Sequence, residues 1–130
     1  GMQADEDTGV TDGLKLSMFD VSDPTAVTEV AKAVVEGCYY ADVFNDYRAV
    51  LIDQPNNVIG FSGYDDGRQT YFVYSYDDGV FTQDMAEDVN GNSWMSPRGV
   101  RIGEVLYVVN GNAVESYAIG SYEKIDDLLI

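Results

Sequence analysis

From Tyr39 onward, turn residues break the chain about every ten positions, a spacing expected of short strands. The breaks are Asn45-Asp46, Gln54-Pro55-Asn56-Asn57, Asp65-Asp66-Gly67, Asp77-Asp78-Gly79, Asn90-Gly91-Asn92, Gly103 and Asn110-Gly111-Asn112. Gly, Asn and Asp reach the positive φ of tight hairpins, and Pro removes a ladder donor. The runs between them are Tyr39–Phe44, Arg48–Asp53, Val58–Tyr64, Gln69–Tyr76, Val80–Val89, Trp94–Ile102, Glu104–Val109 and Ala113–Ile119. Several are rich in Tyr, Phe and Val, which suit a pleated surface. Short strands at this spacing indicate an all-β sandwich, barrel or propeller.

The N-terminal third adds one clear strand and one ambiguous segment. Leu14, Leu16 and Met18 alternate with Lys15 and Ser17, so Gly13–Asp20 reads as a half-buried strand. It is stopped by Asp20-Val21-Ser22-Asp23-Pro24, where Asp and Ser can bond the backbone ahead and Pro fixes φ. Val27, Val30, Ala31, Val34 and Val35 recur at helical spacing, with Asp23-Pro24 placed to start a helix. Four of those residues are valines and Thr28 is also β-branched, which favours a strand. Pattern alone leaves 26–36 open between the two. Residues 1–13 read as a polar, mobile lead-in. Asp5 and Asp7 resemble the opening of a calcium loop, but the glycine falls one place early at Gly9 and the closing carboxylate position holds Leu16.

A repeat narrows the architecture. Met18-Phe19-Asp20 matches Ser75-Tyr76-Asp77, Asp46–Val50 matches Gly103–Tyr107, and Asp53 matches Asn110, each at an offset of 57 residues (77 − 20, 103 − 46, 110 − 53). A period near 50 built from four short strands suggests propeller blades, with units at about 14–64 and 69–120 in a blade region spanning 14–130. Each blade is a small sheet that must stack on its neighbours to cover both faces.

The stretch Gly13–Pro24 resembles a signature of a family of secreted or surface bacterial β-propeller domains. That family is distantly related to WD-type repeats and sits at the C-terminal end of larger chains. Arg98–Tyr107 resembles the family's penultimate strand pair. The resemblance runs from about Ala4 to Ile130. It implies an all-β, antiparallel fold of two to three propeller-type blades in an incomplete ring, an extracellular or surface-attached location, and an outer strand rather than a helix at 26–36.

Charge and residue inventory exclude several functions. There are 23 acidic residues against seven basic ones, a formal net charge of −16. That balance opposes phosphate backbones and anionic lipid, so nucleic acid is not an expected partner. The chain has no histidine, which removes Ser-His and Cys-His catalysis and histidine-ligated zinc. Its one cysteine, Cys38, reads as a buried thiol with no base beside it. No apolar run of about 18 residues spans a membrane, and no signal-peptide pattern is present. Gly1 ahead of Met2 reads as a tag remnant. No cofactor, metal or phosphate-loop motif is expected. Asp65-Asp66 and Asp77-Asp78 precede glycines and read as turn residues, whereas Asp126-Asp127 read as part of a solvated terminal segment.

The aromatic load supplies the binding candidates. Ten tyrosines and one tryptophan offer flat faces with polar tips, suited to sugars or peptides. Tyr71, Tyr74 and Tyr76 lie inside strand patterns and read as packing residues. Tyr39, Tyr40 and Trp94 follow connections that would open onto a ligand-facing rim. Arg98, one of four arginines, is expected on an inner strand, where it could pair with Asp42 across two blades. The resulting expectation is a non-catalytic scaffold for an unknown protein or glycan ligand, with Tyr39, Tyr40, Asp42, Trp94 and Arg98 at its site. The alternative is a carboxylate-based glycosidase or lyase, which needs two carboxylates about 5–10 Å apart and one raised pKa. Blade faces left bare at the two ends would also drive self-association, as a symmetric dimer or larger oligomer.

Overall fold

A computed structural model describes residues 2–4, 7, 11–65, 68–89 and 96–129. Within these residues, twelve strands form three antiparallel sheets. The first sheet contains β1 (Met2–Ala4), β2 (Thr11–Asp20) and β3 (Thr28–Glu36) in that order. The second contains β4 (Cys38–Ala41), β5 (Leu51–Asp53), β6 (Val58–Asp65), β7 (Arg68–Asp77) and β8 (Val80–Asp88). The third contains β9 (Arg98–Ile102), β10 (Val105–Asn110), β11 (Ala113–Ala118) and β12 (Lys124–Leu129). No α-helix occurs among the described residues.

The β-branched residues decide the ambiguous segment. Residues 28–36 form β3, whose Val35, Ala33 and Ala31 lie opposite Leu14, Leu16 and Met18 of β2. Those pairs make the face that packs on the second sheet. Its core joins Leu14 and Val35 to Cys38, Ala41, Phe61, Phe72 and Tyr74. A second core joins Tyr71, Val73 and Met85 to Leu106, Val108, Tyr117 and Tyr122. Strand β7 therefore feeds both cores. Phe72 and Tyr74 point toward the first sheet, and Tyr71 and Val73 point toward the third. Period-two alternation puts successive side chains on opposite faces, so a strand buried on both sides must be apolar throughout.

The sequence repeat has a partial structural basis. β2 and β7 correspond at the 57-residue offset (68 − 11, 77 − 20), and each lies next to the outer strand of its sheet. From the second sheet to the third the offset is 45 (110 − 65, 113 − 68), because the turn of β6 and β7 corresponds to that of β10 and β11. The 46–50 match does not hold, since Tyr47–Ala49 is a one-turn 3-10 helix whereas Val105 already lies in β10. The sheets run over residues 2–36, 38–88 and 98–129, so the units 14–64 and 69–120 each begin in one sheet and end in the next.

The expectation for the lead-in changes. Residues 2–4 of the lead-in form β1 and extend the edge of β2. Asp5 and Gly9, and with them the calcium-loop reading, lie outside the described residues, as do the tips of the Asp65-Asp66-Gly67 and Asn90-Gly91-Asn92 turns. Asp126 and Asp127 are exposed, as expected of a solvated terminal segment, and that segment is the strand β12, where they pair with Ser116 and Glu115 of β11. Ile52, in the apolar part of the Arg48–Asp53 run, is 66% exposed. β5 is only three residues long, and its inward positions are Leu51 and Asp53. Leu16, Met18 and Val50 are half-buried, whereas Val73, Leu106 and Val108 are fully buried. The Asp78-Gly79 hairpin has positive φ at both residues, as a type I′ turn requires.

Leu106→Ala should lower unfolding free energy by about 2–5 kcal/mol in urea titrations, because it leaves a cavity between the second and third sheets. Tyr71 yields a second expectation. Its ring is fully buried, and its hydroxyl has no hydrogen-bond partner among the described residues. A Cβ at Gly60 would come 2.7 Å from that oxygen, and one at Gly99 would overlap it. Gly99→Ala should therefore destabilise by about 1–3 kcal/mol through overpacking. Tyr71→Phe should be neutral or stabilising, since it removes a buried unsatisfied group, and should lessen the Gly99→Ala loss in a double-mutant cycle.

Candidate functional site

The candidate site is the segment that interrupts the first strand position of the second sheet. β4 and β5 both pair with β6, β4 at Gly63–Asp65 and β5 at Val58–Gly60, so they lie end to end along one neighbour. Residues 42–49 bulge out between them as two one-turn 3-10 helices, Asp42–Phe44 and Tyr47–Ala49. The sequence pattern suggested two adjacent strands with a turn at Asn45-Asp46. A strand continuing past Ala41 would have to pass Asp42, whose carboxylate is drawn inward instead, accepting a 2.5 Å hydrogen bond from the buried Ser62 hydroxyl. The amides of Asn45 and Asp46 both donate to the Asp42 carbonyl and close the turn. Gly63 makes room for β4, because a Cβ there would lie 2.8 Å from both the Cys38 Sγ and the Tyr40 carbonyl oxygen.

This folding turns the aromatics of the segment outward. Cys38 and Ala41 are fully buried, while Tyr39 is 59% exposed and Tyr40 and Phe44 are also exposed. Tyr40 stands edge-on to Phe44 at 6.4 Å and tilted against Tyr64 at 5.8 Å. Its hydroxyl accepts a 2.7 Å bond from the Asn45 amide side chain, which fixes the ring. Tyr47 is 80% exposed. Beneath Phe44, a cavity of about 210 Å³ opens between Leu14, Leu16, Val43, Val50 and Phe61.

Arg98 lies on β9, as expected, but its ion partner is Asp46 at 2.8 Å rather than Asp42. Asp42 opens a 3-10 turn and faces Ser62, so it belongs to the support of the segment. Asp46 caps the second 3-10 turn, accepting bonds from the Arg48 backbone and side chain as well. The Arg98 guanidinium, then the Arg48 side chain and amide, hold the Asp46 carboxyl well below its ordinary value of 3.8. A second such pair joins Arg101 of β9 to Asp53 at the end of β5. Trp94 lies outside the described residues. Phe44, Asn45, Asp46 and Tyr47 were not singled out in the sequence, where Asn45-Asp46 read only as a strand break. The signal that could have found them is the clustering of Tyr39, Tyr40, Phe44 and Tyr47 within nine positions (47 − 39 + 1).

Among the described residues, no group of three or more Cys, Asp or Glu side chains could hold a metal ion. No helix among them is long and apolar enough to cross a membrane. The fold defines a β-propeller protein, with antiparallel sheets of three, five and four strands stacked face to face around apolar cores. The chain belongs to the beta propeller domain family, whose match covers residues 1–122. It is 27% identical over 115 residues to an uncharacterized protein of Archaeoglobus fulgidus, an alignment that takes in 88% of this chain and 17% of that protein. No solved structure matches.

The Asp46 link has a defined pH signature. Its folded pKa is depressed, so its stabilisation is complete above the ordinary carboxylate value and is lost as pH falls through the folded one. Asp46→Asn should therefore be less stable than the parent at neutral pH, with the gap narrowing on acidification below about pH 4 in thermal melts. A gap that is constant with pH would mean the ion pair contributes nothing.

Proposed function

We propose that this chain is a non-catalytic extracellular or cell-surface scaffold that binds a protein or glycan through the aromatic segment 39–47. The supporting observation is the exposure of Tyr39 and Tyr47, on a segment braced by Asp42–Ser62 beneath and Asp46–Arg98 from the neighbouring sheet. Exposed tyrosines on a braced segment offer stacking surface at low ordering cost. Arg98 acts here as a positioning residue, since its guanidinium is engaged by Asp46. The extracellular location follows from the family resemblance.

The glycosidase or lyase alternative has less support. Among the described residues, the carboxyls that depart from ordinary values, Asp20, Asp23, Glu29, Asp46 and Asp53, all move downward, each through hydrogen bonds or ion pairs. A general acid needs the opposite shift.

Screening the chain on an oligosaccharide array and an extended-peptide library should identify a ligand. Tyr47→Ala and Tyr39→Ala should then each weaken binding about tenfold, near 1.4 kcal/mol, while leaving the melting temperature unchanged. Absence of any ligand from both libraries, or affinity untouched by both substitutions, would overturn the assignment.

A further inference from the structure

The excursion at 42–49 leaves a gap in the strand layer of the second sheet. β5 pairs with Val58–Gly60 of β6 and β4 with Gly63–Asp65, so Phe61 and Ser62 have no strand partner on that side among the described residues. Strand alternation sends their side chains to opposite faces. The Ser62 face is filled, because the Asp42 carboxylate turns inward to accept its hydroxyl. The Phe61 face is not. There the cavity of about 210 Å³ opens toward the first sheet. Phe61 and Leu14 of β2, both buried, form its floor. Half-buried Leu16, Val43, Val50 and Ile59 form its walls, and the exposed Phe44 ring stands at its rim.

Lining chemistry and size together define what fits. Lys15 is the one polar residue of this lining, and its ammonium is bridged to Glu29 at 2.9 Å. Two other clefts of the molecule differ in this respect. Asp53, Gln54 and Asn57 help to line one of about 120 Å³, and Ser116, Asp126 and Asp127 help to line one of about 180 Å³. Pockets for drug-sized ligands run to about 300–1,000 Å³, beyond the space beneath Phe44. An apolar cavity of about 150 Å³ walled by Leu, Ile and Phe takes a benzene molecule. A sugar ring would bring hydroxyls that find no partner on aliphatic and phenyl walls, and each would be desolvated without compensation.

We infer that this cavity is a binding site for one apolar aromatic ring, of benzene to toluene size, and that it rejects sugars. Such a ring belongs either to a free small molecule or to a phenylalanine side chain of a peptide held by segment 39–47. Only the second source rests on the proposed function. The cavity arises from the gap over Phe61, whether or not the exposed tyrosines bind anything.

Toluene is the probe, titrated into the chain and followed through the methyl resonances of Leu14, Leu16, Val43, Val50 and Ile59. Those methyls should shift saturably. The same titration with myo-inositol, a six-membered ring covered in hydroxyls, should leave them in place. Val50→Phe and Leu16→Phe each put a ring into the cavity, from the second sheet and the first respectively. Each should weaken toluene binding by about tenfold or more, and two variants are used so that misfolding of one leaves the other to decide. Shifts that never saturate, equal shifts with myo-inositol, or toluene affinity unchanged in a folded variant would overturn the inference. The sources are separated by measuring Val50→Phe against a peptide ligand of segment 39–47. Loss of peptide binding assigns the ring to the peptide, and retained binding assigns it to a free small molecule. Saturable toluene binding with no library ligand found would leave the cavity site standing and the aromatic-segment reading fallen. A library ligand without toluene binding would do the reverse.

Discussion

Strand β7 has no face to spare. Tyr71, Phe72, Val73 and Tyr74 are all buried, in alternating directions, so one strand anchors two separate cores. Removing it would take the middle out of both inter-sheet contacts, whereas β3 or β12 lies at the edge of its sheet and bears on fewer neighbours. Tyr71 sets the closest approach. Its ring fills the space that side chains at Gly60 and Gly99 would need, so β6 and β9 come close enough for the second core to form. Its hydroxyl goes into that space without a partner among the described residues, and desolvation drives its pKa far above the ordinary tyrosine value. A buried polar group left unsatisfied costs about 1–3 kcal/mol. The ring's apolar area, between two strands that admit only glycine, offsets that cost.

Cations are scarce in this chain, and their placement is informative. Arg98 and Arg101 both belong to β9, and both reach carboxylates on the second sheet, Asp46 and Asp53. These pairs flank the Tyr71 contact on the same pair of sheets and fix the lateral register that apolar packing alone does not specify. Exposed ion pairs contribute little to stability, about 0–1 kcal/mol each. Their larger effect here is to hold Asp46 and Asp53 at the two ends of the stretch that includes Tyr47. Lys124 plays a comparable part within the third sheet, donating to the buried Glu115 and to Asp127, which together raise its pKa.

Where the hydrophobic pattern and the turn chemistry agreed, the strands were legible, with boundaries displaced by a residue or two. β6, β7, β8, β10 and β11 are of this kind. β3 was not legible from periodicity, because valine at helical spacing also serves a strand whose inner face needs only Val35, Ala33 and Ala31. The interrupted inner strand escaped for a different reason. An Asx break between two apolar runs has the same local chemistry in a hairpin as in a 3-10 excursion. What separates them is Ser62, twenty residues from Asp42, capturing its carboxylate. The strand pattern is enough to put Arg98 on β9, but which acid it meets, Asp46 rather than Asp42, depends on that same excursion. The 57-residue offset was real for β2 and β7 and coincidental elsewhere, because the links within each blade differ in length. Seven residues join β2 to β3, and two join β7 to β8 (28 − 20 − 1, 80 − 77 − 1).

The excursion joins fold to function. A continuous strand over 38–53 would alternate its side chains between the two inter-sheet cores, and Tyr39, Tyr40, Phe44 and Tyr47 would all need burial or would break the stacking. Lifting residues 42–49 off the sheet removes that conflict for Phe44 and Tyr47, while Tyr39 and Tyr40 stay on β4 with their side chains exposed. Ala41 and Ala49, both fully buried, mark where the chain leaves and rejoins the packed layer. The same departure makes the aromatics available on a segment tied down at both turns, by Asp42 to its own sheet and by Asp46 to the next. A surface of this kind is rigid without being part of either core. It can therefore vary in sequence while β7 and the glycines that face Tyr71 stay fixed.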